Sequence, residues 1–290
     1  MHVQLLSKKQ TNKFGETFHR FDRALWKIHE VLFFYVERNS RQTTGIHVII
    51  ILRKTKTGWE ERKMEQKRRY YEAYEERYRQ VHEEGLQWAS DSPSEIVGQI
   101  IQKYGITKQA QMLEIGCGEG RDAAHLLKEG YHLLATDLSG EAIAYCREKY
   151  PDFRENFCTL DCLNEKLEQK FDFIYAVAVL HMFVLEEDRS KFYQFIGEHL
   201  KENGIALIGT MGDGKMEVCS NPEEAFTLQR RTHGQTGREM MLAGTSCRVV
   251  SFDTFRQEIH SAGLKELEMG LTSILPDFPT MMVAVIKAEK

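Results

Sequence analysis

Short apolar runs alternate with amphipathic patterns over residues 111–210, and this alternation restricts the fold more than any other feature of the chain. The runs are rich in branched and aromatic residues and have the length of strands. They occupy Met112–Ile115, Tyr131–Thr136, Phe153–Thr159, Phe171–Val179 and Gly204–Thr210. Helical periodicity fills the intervals 121–129, 140–149 and 187–200. Because strands without polar alternation are covered on both faces, the pattern predicts an α/β fold with a doubly wound, mostly parallel sheet.

The segments on either side extend the same domain. Before the alternation, tyrosines recur at helical spacing until Gly85 ends the helix, and a second helix follows. After it, an irregular stretch leads to two strands near the end of the chain, which indicate an antiparallel hairpin. We therefore predict one domain over 64–290, with lid helices at 64–104, a cofactor-binding core at 105–210, and a substrate-shaping segment with the hairpin at 211–290.

Three glycines at alternate positions, Gly116, Gly118 and Gly120, follow the first strand of this core. Glycines at a strand end let the backbone approach a ligand, and they lead into a helix whose free N–H groups face the same crevice. A dinucleotide-binding turn would place its third glycine at position 121, where the chain has Arg121. Glu114 adds a carboxylate that would repel a pyrophosphate and attract an ammonium or sulfonium group. The motif therefore favours a cationic nucleoside over a nicotinamide dinucleotide.

Two further acids follow strand ends. Asp137 ends the second strand, 21 residues after Gly116, where a carboxylate can accept hydrogen bonds from both hydroxyls of a ribose. Asp161 follows the third strand and can accept the amine of adenine, although a helix cap is the alternative for this residue. Both types of cofactor predict Asp137, so this residue indicates adenosine without deciding what the adenosine is attached to.

The ordered motifs "EIGCGEGRD", "ATDLS", "TLDC" and "FDFIYAVAVLH" resemble those of class I S-adenosylmethionine-dependent methyltransferases. The resemblance covers residues 64–290 and is most specific over 112–210. Within that family, "GCGEGRDAAHLL" is similar to the tellurite- and thiopurine-type small-molecule enzymes. The resemblance implies a Rossmann-like sheet of seven strands with a reversed terminal hairpin, and S-adenosyl-L-methionine as the cofactor.

The same resemblance implies roles for individual residues. Glu114 and the glycine loop would hold the methionine part of the cofactor, Asp137 the ribose, and Asp161 the adenine amine. The full set of implied cofactor-binding residues is Glu114, Gly116, Cys117, Gly118, Gly120, Arg121, Asp137, Leu138, Asp161, Cys162 and Val177. Arg121 departs from the commonest pattern of the family, and a contact with the cofactor carboxylate is the role considered for it.

His181 lies just beyond the fourth strand, where this family places the reacting atoms, and it is the candidate catalytic residue. A packing histidine is the equally weighted alternative, because methyl transfer depends mainly on alignment of the nucleophile with an already activated methyl group. A base is needed only for an acceptor that still carries its proton at neutral pH. No metal site is predicted. Cys219 and Cys247 are candidates for contact with a thiophilic substrate such as a metalloid oxyanion, but a soft-ligand site needs three well-placed thiolates or a histidine partner, which the spacing does not show.

Charge and cysteine content limit the partners. The net charge is −4, but residues 64–290 carry 26 basic and 37 acidic side chains, which argues against nucleic acid or an anionic membrane as partner. Six cysteines without a CxxC pair fit a reducing cytoplasm. We predict a cytoplasmic enzyme that methylates a small molecule. The alternatives are a protein or RNA acceptor, or a non-catalytic sensor of the cofactor, and neither the acceptor atom nor the oligomeric state is predicted.

Residues 1–63 differ from the rest, with 13 basic against 6 acidic side chains and no clear periodicity. The segment "GWEERKM" at 58–64 requires a purine-rich coding run just before the codon of Met64, which resembles a bacterial ribosome-binding site. We therefore expect Met64 to be the native start and 1–63 to be non-native or disordered. The competing interpretation is a genuine basic extension that recruits a partner.

Overall fold

The structure is a computed structural model that describes residues 7–11, 17–21, 30–35, 48–55, 58–63, 68–274 and 277–289. The chain divides into two compact units, Met1–Arg68 and Arg69–Lys290. Met64 as the native start stays a prediction, and residues 64–67 lie outside the described part of the chain. The division of 64–290 into three parts also stays a prediction.

The described residues of the first unit form five antiparallel strands in two small sheets. One sheet pairs β1 with β2 and the other has the order β3-β4-β5. The strands are β1 (Ser7–Thr11), β2 (Thr17–Phe21), β3 (Glu30–Tyr35), β4 (Val48–Thr55) and β5 (Gly58–Lys63). The apolar residues 48–52 lie in β4, which is paired on both sides, as expected of a run rich in isoleucine.

The second unit is built on a seven-stranded sheet with the order β15-β16-β10-β9-β6-β7-β8. Its strands are β6 (Gln111–Ile115), β7 (His132–Asp137), β8 (Phe157–Thr159), β9 (Phe171–Val177), β10 (Leu200–Met211), β15 (Leu264–Thr272) and β16 (Met281–Ala288). β16 is antiparallel to both of its neighbours, whereas β6 to β10 pair in parallel. The predicted fold, a doubly wound and mostly parallel sheet with an antiparallel terminal hairpin, is confirmed.

Helices cover both faces of this sheet. They are α1 (Ala73–Glu83), α2 (Glu95–Lys103), α3 (Arg121–Lys128), α4 (Gly140–Lys149), α5 (Glu186–His199) and α6 (Phe252–Ser261). Alternate side chains of β9 enter two separate apolar cores: Phe173 packs with α2, α3 and α4, and Ile174 packs with α5 and α6. In the sheet, β7 and β8 lie on one side of β6, and β9 and β10 lie on its other side, so the strand order reverses direction at β6. A ligand crevice is therefore expected at the carboxyl ends of β6 and β9.

The segment between β10 and α6 forms two small antiparallel pairs. These are β11 (Val218–Cys219) with β14 (Arg248–Val249), and β12 (Leu228–Thr232) with β13 (Glu239–Ala243). Helix α1 is attached to β13 by its side chains, since Gln80 accepts from the Ala243 amide at 2.8 Å. Val81 of α1 also packs with Met240 and Leu242. The segment after β10 and the helix before β6 therefore meet at the same end of the sheet.

The third predicted strand is partly wrong. Residues Pro151–Asn156 form a 3₁₀ helix, and only Phe157–Thr159 form a strand. Pro151 stands at the first position of that helix, where its fixed φ and its missing N–H are favourable. The strand prediction, which relied on local apolar content, therefore included residues that belong to this 3₁₀ helix.

Candidate active site at the carboxyl ends of β6, β7 and β9

The glycine loop lies directly after β6 and is held by the next strand. The amides of Gly116 and Cys117 donate to the Thr136 carbonyl at 2.7 and 2.9 Å. Gly116 has φ +74° and Gly118 has φ +53°, values that favour glycine. A Cβ on Gly116 would lie 2.4 Å from Val179 Cγ2, and one on Gly118 would lie 2.7 Å from the Tyr78 hydroxyl oxygen. The loop is thus in close contact with neighbouring side chains at two of its glycines.

Gly120 has a different environment. It precedes α3 with φ +80°, and a Cβ there would lie 2.9 Å from Cys146 Sγ on α4. It lines neither of the two cavities described below. The positive φ and the close packing against α4 explain why a glycine stands at this position. A contact between Gly120 and the cofactor stays a prediction.

Two cavities adjoin the loop, with volumes of about 70 and about 1040 Å³. The predicted residues that line the smaller one are Gly116, Asp137, Leu138, Asp161 and Cys162. Those that line the larger one are Glu114, Gly116, Cys117, Gly118, Arg121, Val177 and His181. Tyr74, Tyr78, Gly116 and Met182 line both cavities. The fold therefore brings every predicted site residue except Gly120 to two adjoining cavities, with two tyrosines of α1 on the boundary.

Asp137 stands at the end of β7 and supports the loop. One of its carboxylate oxygens accepts from the Gly118 amide and the other from the Ser139 amide, both at 2.8 Å. Burial raises the pKa of Asp137 to about 6, and the nearby Glu75 adds to the rise. Each carboxylate oxygen has a further lone pair, so the contacts with the backbone leave acceptor capacity toward the smaller cavity.

Asp161 also lines the smaller cavity, but its oxygens already have partners. Oδ1 accepts from the Leu163 amide at 3.0 Å, and Oδ2 accepts from Asn164 at 2.9 Å and from Arg69 at 2.5 Å. The first contact belongs to a local turn and not to the helix cap that was the alternative interpretation, because the described residues between β8 and β9 form no helix. A bond from Asp161 to an adenine amine would share an oxygen that already accepts from a protein group.

Glu114 and Arg121 lie on the side of the larger cavity. Glu114 is buried, and its Oε2 accepts from the Tyr175 hydroxyl at 3.0 Å. Burial raises the pKa of Glu114 well above its usual range, and the neighbouring Asp122 raises it further. Arg121 forms an ion pair with Asp277, which comes from the segment before β16. A positive group entering beside Glu114 would restore the charge of this carboxylate, as the sequence predicts for an ammonium or sulfonium.

His181 is buried in the short 3₁₀ helix Leu180–Met182 and lines the larger cavity. Its Nδ1 atom has no hydrogen-bond partner among the described residues. Burial lowers the pKa of His181 to about 3, and the charge of Arg189 contributes to the decrease. The imidazole is therefore neutral at physiological pH, with a polar atom free to bind a ligand.

The comparisons with known proteins agree with this geometry. Residues 113–206 match a family described as "Methyltransferase domain". A ubiquinone biosynthesis O-methyltransferase of Rickettsia typhi is 31% identical over 123 residues, which are 41% of this chain and 48% of that protein. A Haemophilus influenzae protein named "Probable S-adenosyl-L-methionine-dependent methyltransferase TehB" is 27% identical over 115 residues, 39% of this chain and 40% of that protein. The chain thus spans less than half the length of these two relatives.

Solved structures show the same fold. The CcbJ methyltransferase of Streptomyces caelestis matches with a TM-score of 0.57 at 15% identity, over 75% of this chain and 98% of that one. An S-adenosylmethionine-dependent methyltransferase of Clostridium acetobutylicum matches with a TM-score of 0.53 at 15% identity, over 76% and 99%. Residues 113–206 match the methyltransferase-domain family, and the second compact unit has the fold of S-adenosylmethionine-dependent methyltransferases. The family identification made from the motifs is confirmed, and S-adenosylmethionine is the cofactor of that family.

Several residues of the methyltransferase site were not predicted from the sequence. Glu119, inside the glycine loop, accepts from the amides of Trp88 and Ala89 at 2.7 Å and contacts His82 at 2.9 Å. Glu75 of α1 accepts from the hydroxyl of Ser139, beside Asp137. These contacts fasten the segment before the sheet to the ends of β6 and β7. They join residues 30 to 64 positions apart, and no local pattern in the sequence indicates them.

Proposed function

We propose that this chain transfers the methyl group of S-adenosylmethionine to a small-molecule acceptor by in-line displacement. The observation that carries the proposal is the grouping of the glycine loop, Glu114 and Asp137 around two adjoining cavities. The glycine loop lets a ligand approach the backbone, and the carboxylate of Asp137 at the end of β7 suits the ribose of adenosine. The buried acid Glu114 beside the loop suits a cationic methionine part.

In this proposal adenosine lies against the residues of the smaller cavity, which must widen beyond about 70 Å³ to admit it, and the methionine part lies at the boundary with the larger cavity. Asp137 accepts from the ribose hydroxyls while it keeps the Gly118 amide in place. Leu138, Cys162 and Asp161 lie around the base. Glu114 and the loop lie around the ammonium group, and the paired Arg121 is close to the same end. The sulfonium supplies a methyl group that needs no further activation.

The protein then has to align the acceptor and exclude water. Tyr74 and Tyr78 of α1 line both cavities, and both are half-buried. We propose α1 as the lid that closes over the bound cofactor, because its tyrosines separate the reacting region from solvent. A base whose pKa is near 3 accepts protons poorly at neutral pH. We therefore assign His181 to positioning of the acceptor through its free Nδ1 atom and not to proton removal.

The nature of the partner and the compartment are part of the proposal. The excess of acidic side chains over 64–290 supports a small acceptor over RNA. All six cysteines are free thiols, which supports a reducing compartment such as the cytoplasm. Among the described residues, no helix is long and apolar enough to cross a membrane.

Calorimetry with S-adenosylmethionine and S-adenosylhomocysteine tests the first step, and we expect affinities in the micromolar range, about −7 to −8 kcal/mol. Incubation with a metabolite panel tests the second step through the formation of S-adenosylhomocysteine. Binding with acceptor-dependent turnover supports the proposal. Binding without turnover on any small molecule favours a sensor, and absence of binding to either compound contradicts the proposal.

A further inference from the structure

The wall of the larger cavity away from the glycine loop is cationic. Arg77 of α1 is only 8% exposed, and its guanidinium donates to the carbonyl oxygens of Ala243 and Gly244 at 2.7 and 2.8 Å. The same guanidinium lies 4.9 Å from the ring centre of Trp88. No carboxylate pairs with Arg77 among the described residues. Carbonyls and a ring orient a guanidinium but do not neutralise it, so a nearly buried charge is left uncompensated.

Arg231 of β12 adds a second positive charge to this wall. It is exposed, lines the same cavity, and donates to the Gln229 side chain at 2.7 Å. In the described part of the chain it has no ion pair either. Burial lowers the pKa of Arg77, and the charge of Arg231 lowers it further. Two like charges therefore face one space without an internal counter-charge.

Among the described residues, four acids line the same cavity: Glu114 accepts from the Tyr175 hydroxyl, and the other three have partners of their own. Glu119 is bound by two backbone amides and His82, and Asp122 by the amide of Ser94 at 2.5 Å. Asp277 is paired with Arg121. These acids come from the glycine loop, the start of α3 and the segment before β16. The cavity is thus divided into an acidic side, where the cofactor is proposed to lie, and a basic side formed by α1 and β12.

We propose that the methyl acceptor carries an anionic group, a carboxylate or another oxyanion, which binds between Arg77 and Arg231. This inference rests on the proposed function, because it concerns the second substrate of the same site. An oxyanion would give Arg77 the counter-charge that it lacks, and the planar guanidinium of Arg231 can bind it in a bidentate manner.

Calorimetry with matched probes tests the inference. The protein is saturated with S-adenosylhomocysteine, and binding of benzoate is compared with binding of benzamide, which has the same shape without the charge. We expect benzoate to bind at least about tenfold more tightly. Arg231→Gln, which is exposed and should fold, is expected to weaken benzoate about fivefold and to leave benzamide unchanged. Arg230→Gln is the control, because Arg230 lies next to it, pairs with Glu239 and does not line the cavity.

The outcomes separate the two proposals. Failure of S-adenosylhomocysteine to bind contradicts the proposed function, and the anion inference falls with it. If S-adenosylhomocysteine binds but benzoate shows no preference over benzamide, or neither binds at millimolar concentration, the inference alone is overturned. Equal effects of Arg231→Gln and Arg230→Gln also overturn it, since a general change of surface charge would then explain the result.

Discussion

On the cofactor side of the crevice, the site residues follow consecutive strand ends between Glu114 and Cys162 and are fixed by backbone contacts within the sheet. On the acceptor side, the wall comes from α1 and β12, whose residues Arg77 and Arg231 are 154 positions apart in the chain. The positions of the residues on the cofactor side follow from the ends of the parallel strands. The positions of the residues on the acceptor side depend on which segments pack over those ends. Changes on the cofactor side should therefore alter cofactor affinity, and changes on the acceptor side should alter acceptor binding alone.

The largest effect is expected for Gly116→Ala. The new Cβ would lie 2.4 Å from Val179 Cγ2 at a backbone φ of +74°, so the loop must leave its place. We expect the affinity for S-adenosylhomocysteine to fall at least about hundredfold, or about 2.7 kcal/mol, measured by calorimetry. Gly130→Ala is the control, because its φ is +87° but no atom lies within 4 Å of the new Cβ. It should cost about 1 kcal/mol of stability and leave cofactor binding intact.

A double variant examines the cause of that loss. Val179→Ala removes the methyl group that Gly116→Ala would contact, so the combination should recover part of the affinity. If Gly116→Ala binds the cofactor as tightly as the unchanged protein, the close approach of the loop is not required and the cofactor side is assigned wrongly.

Asp137→Asn should have the next largest effect. The variant keeps the size of the side chain but removes the charge that accepts from the ribose hydroxyls. We expect a loss of about 10- to 100-fold in affinity for S-adenosylhomocysteine. Asp152→Asn, an exposed change in the 3₁₀ helix before β8, should have no effect. An unchanged affinity in Asp137→Asn would remove the ribose assignment.

The local parts of this site are also the parts that the sequence predicts. Strand ends, the glycine pattern and an acid after the second strand are separated by short, regular intervals, and a parallel sheet brings them to one edge whatever packs above. The pairing of Asp161 with Arg69 joins residues 92 positions apart, and the contacts of Arg77 with β13 join residues 166 apart. Such contacts depend on tertiary packing, which leaves no periodic signal. The wrong extension of the third strand has the related cause that apolar content does not distinguish a strand from a short helix.

The pH dependence of cofactor binding should be a smaller effect on the same side. Burial raises the pKa of Asp137 to about 6, so this group stabilises the fold below its unfolded pKa and loses that contribution as the pH rises through about 6. Ribose hydroxyls prefer the charged form, so affinity should decrease as the pH falls below about 6, by at most about tenfold per pH unit. The increase in Tm caused by S-adenosylhomocysteine should therefore be larger at pH 7 than at pH 5.

Other acids must be separated from Asp137 in that experiment. Glu75 faces Asp137, and Glu114 has a pKa well above its usual range for the same reason of burial. Asp137→Asn should flatten the profile between pH 5 and 7. A profile that stays steep in this variant would assign the titration to Glu114.

His181→Ala concerns the acceptor side and should be milder. Because burial lowers the pKa of His181 to about 3, the side chain does not titrate between pH 6 and 9. We expect unchanged affinity for S-adenosylhomocysteine and a decrease in turnover of no more than about tenfold, with the same pH profile as the unchanged protein. His125→Ala, an exposed change on α3, is the control. A decrease of about hundredfold or more that depends on pH would indicate a general base and contradict the positioning role.

The smallest effect is expected for removal of residues 1–63. All residues assigned to either side of the crevice lie between Arg69 and Asp277, within the second compact unit. A chain that begins at Met64 should therefore have the same affinity for S-adenosylhomocysteine as the full chain, and the unfolding transition of the second unit should keep its Tm. Calorimetry and thermal unfolding measure both quantities side by side. A loss of affinity in the shortened chain would mean that the first unit contributes to the cofactor side, and the division of the site into two walls of one domain would have to be abandoned.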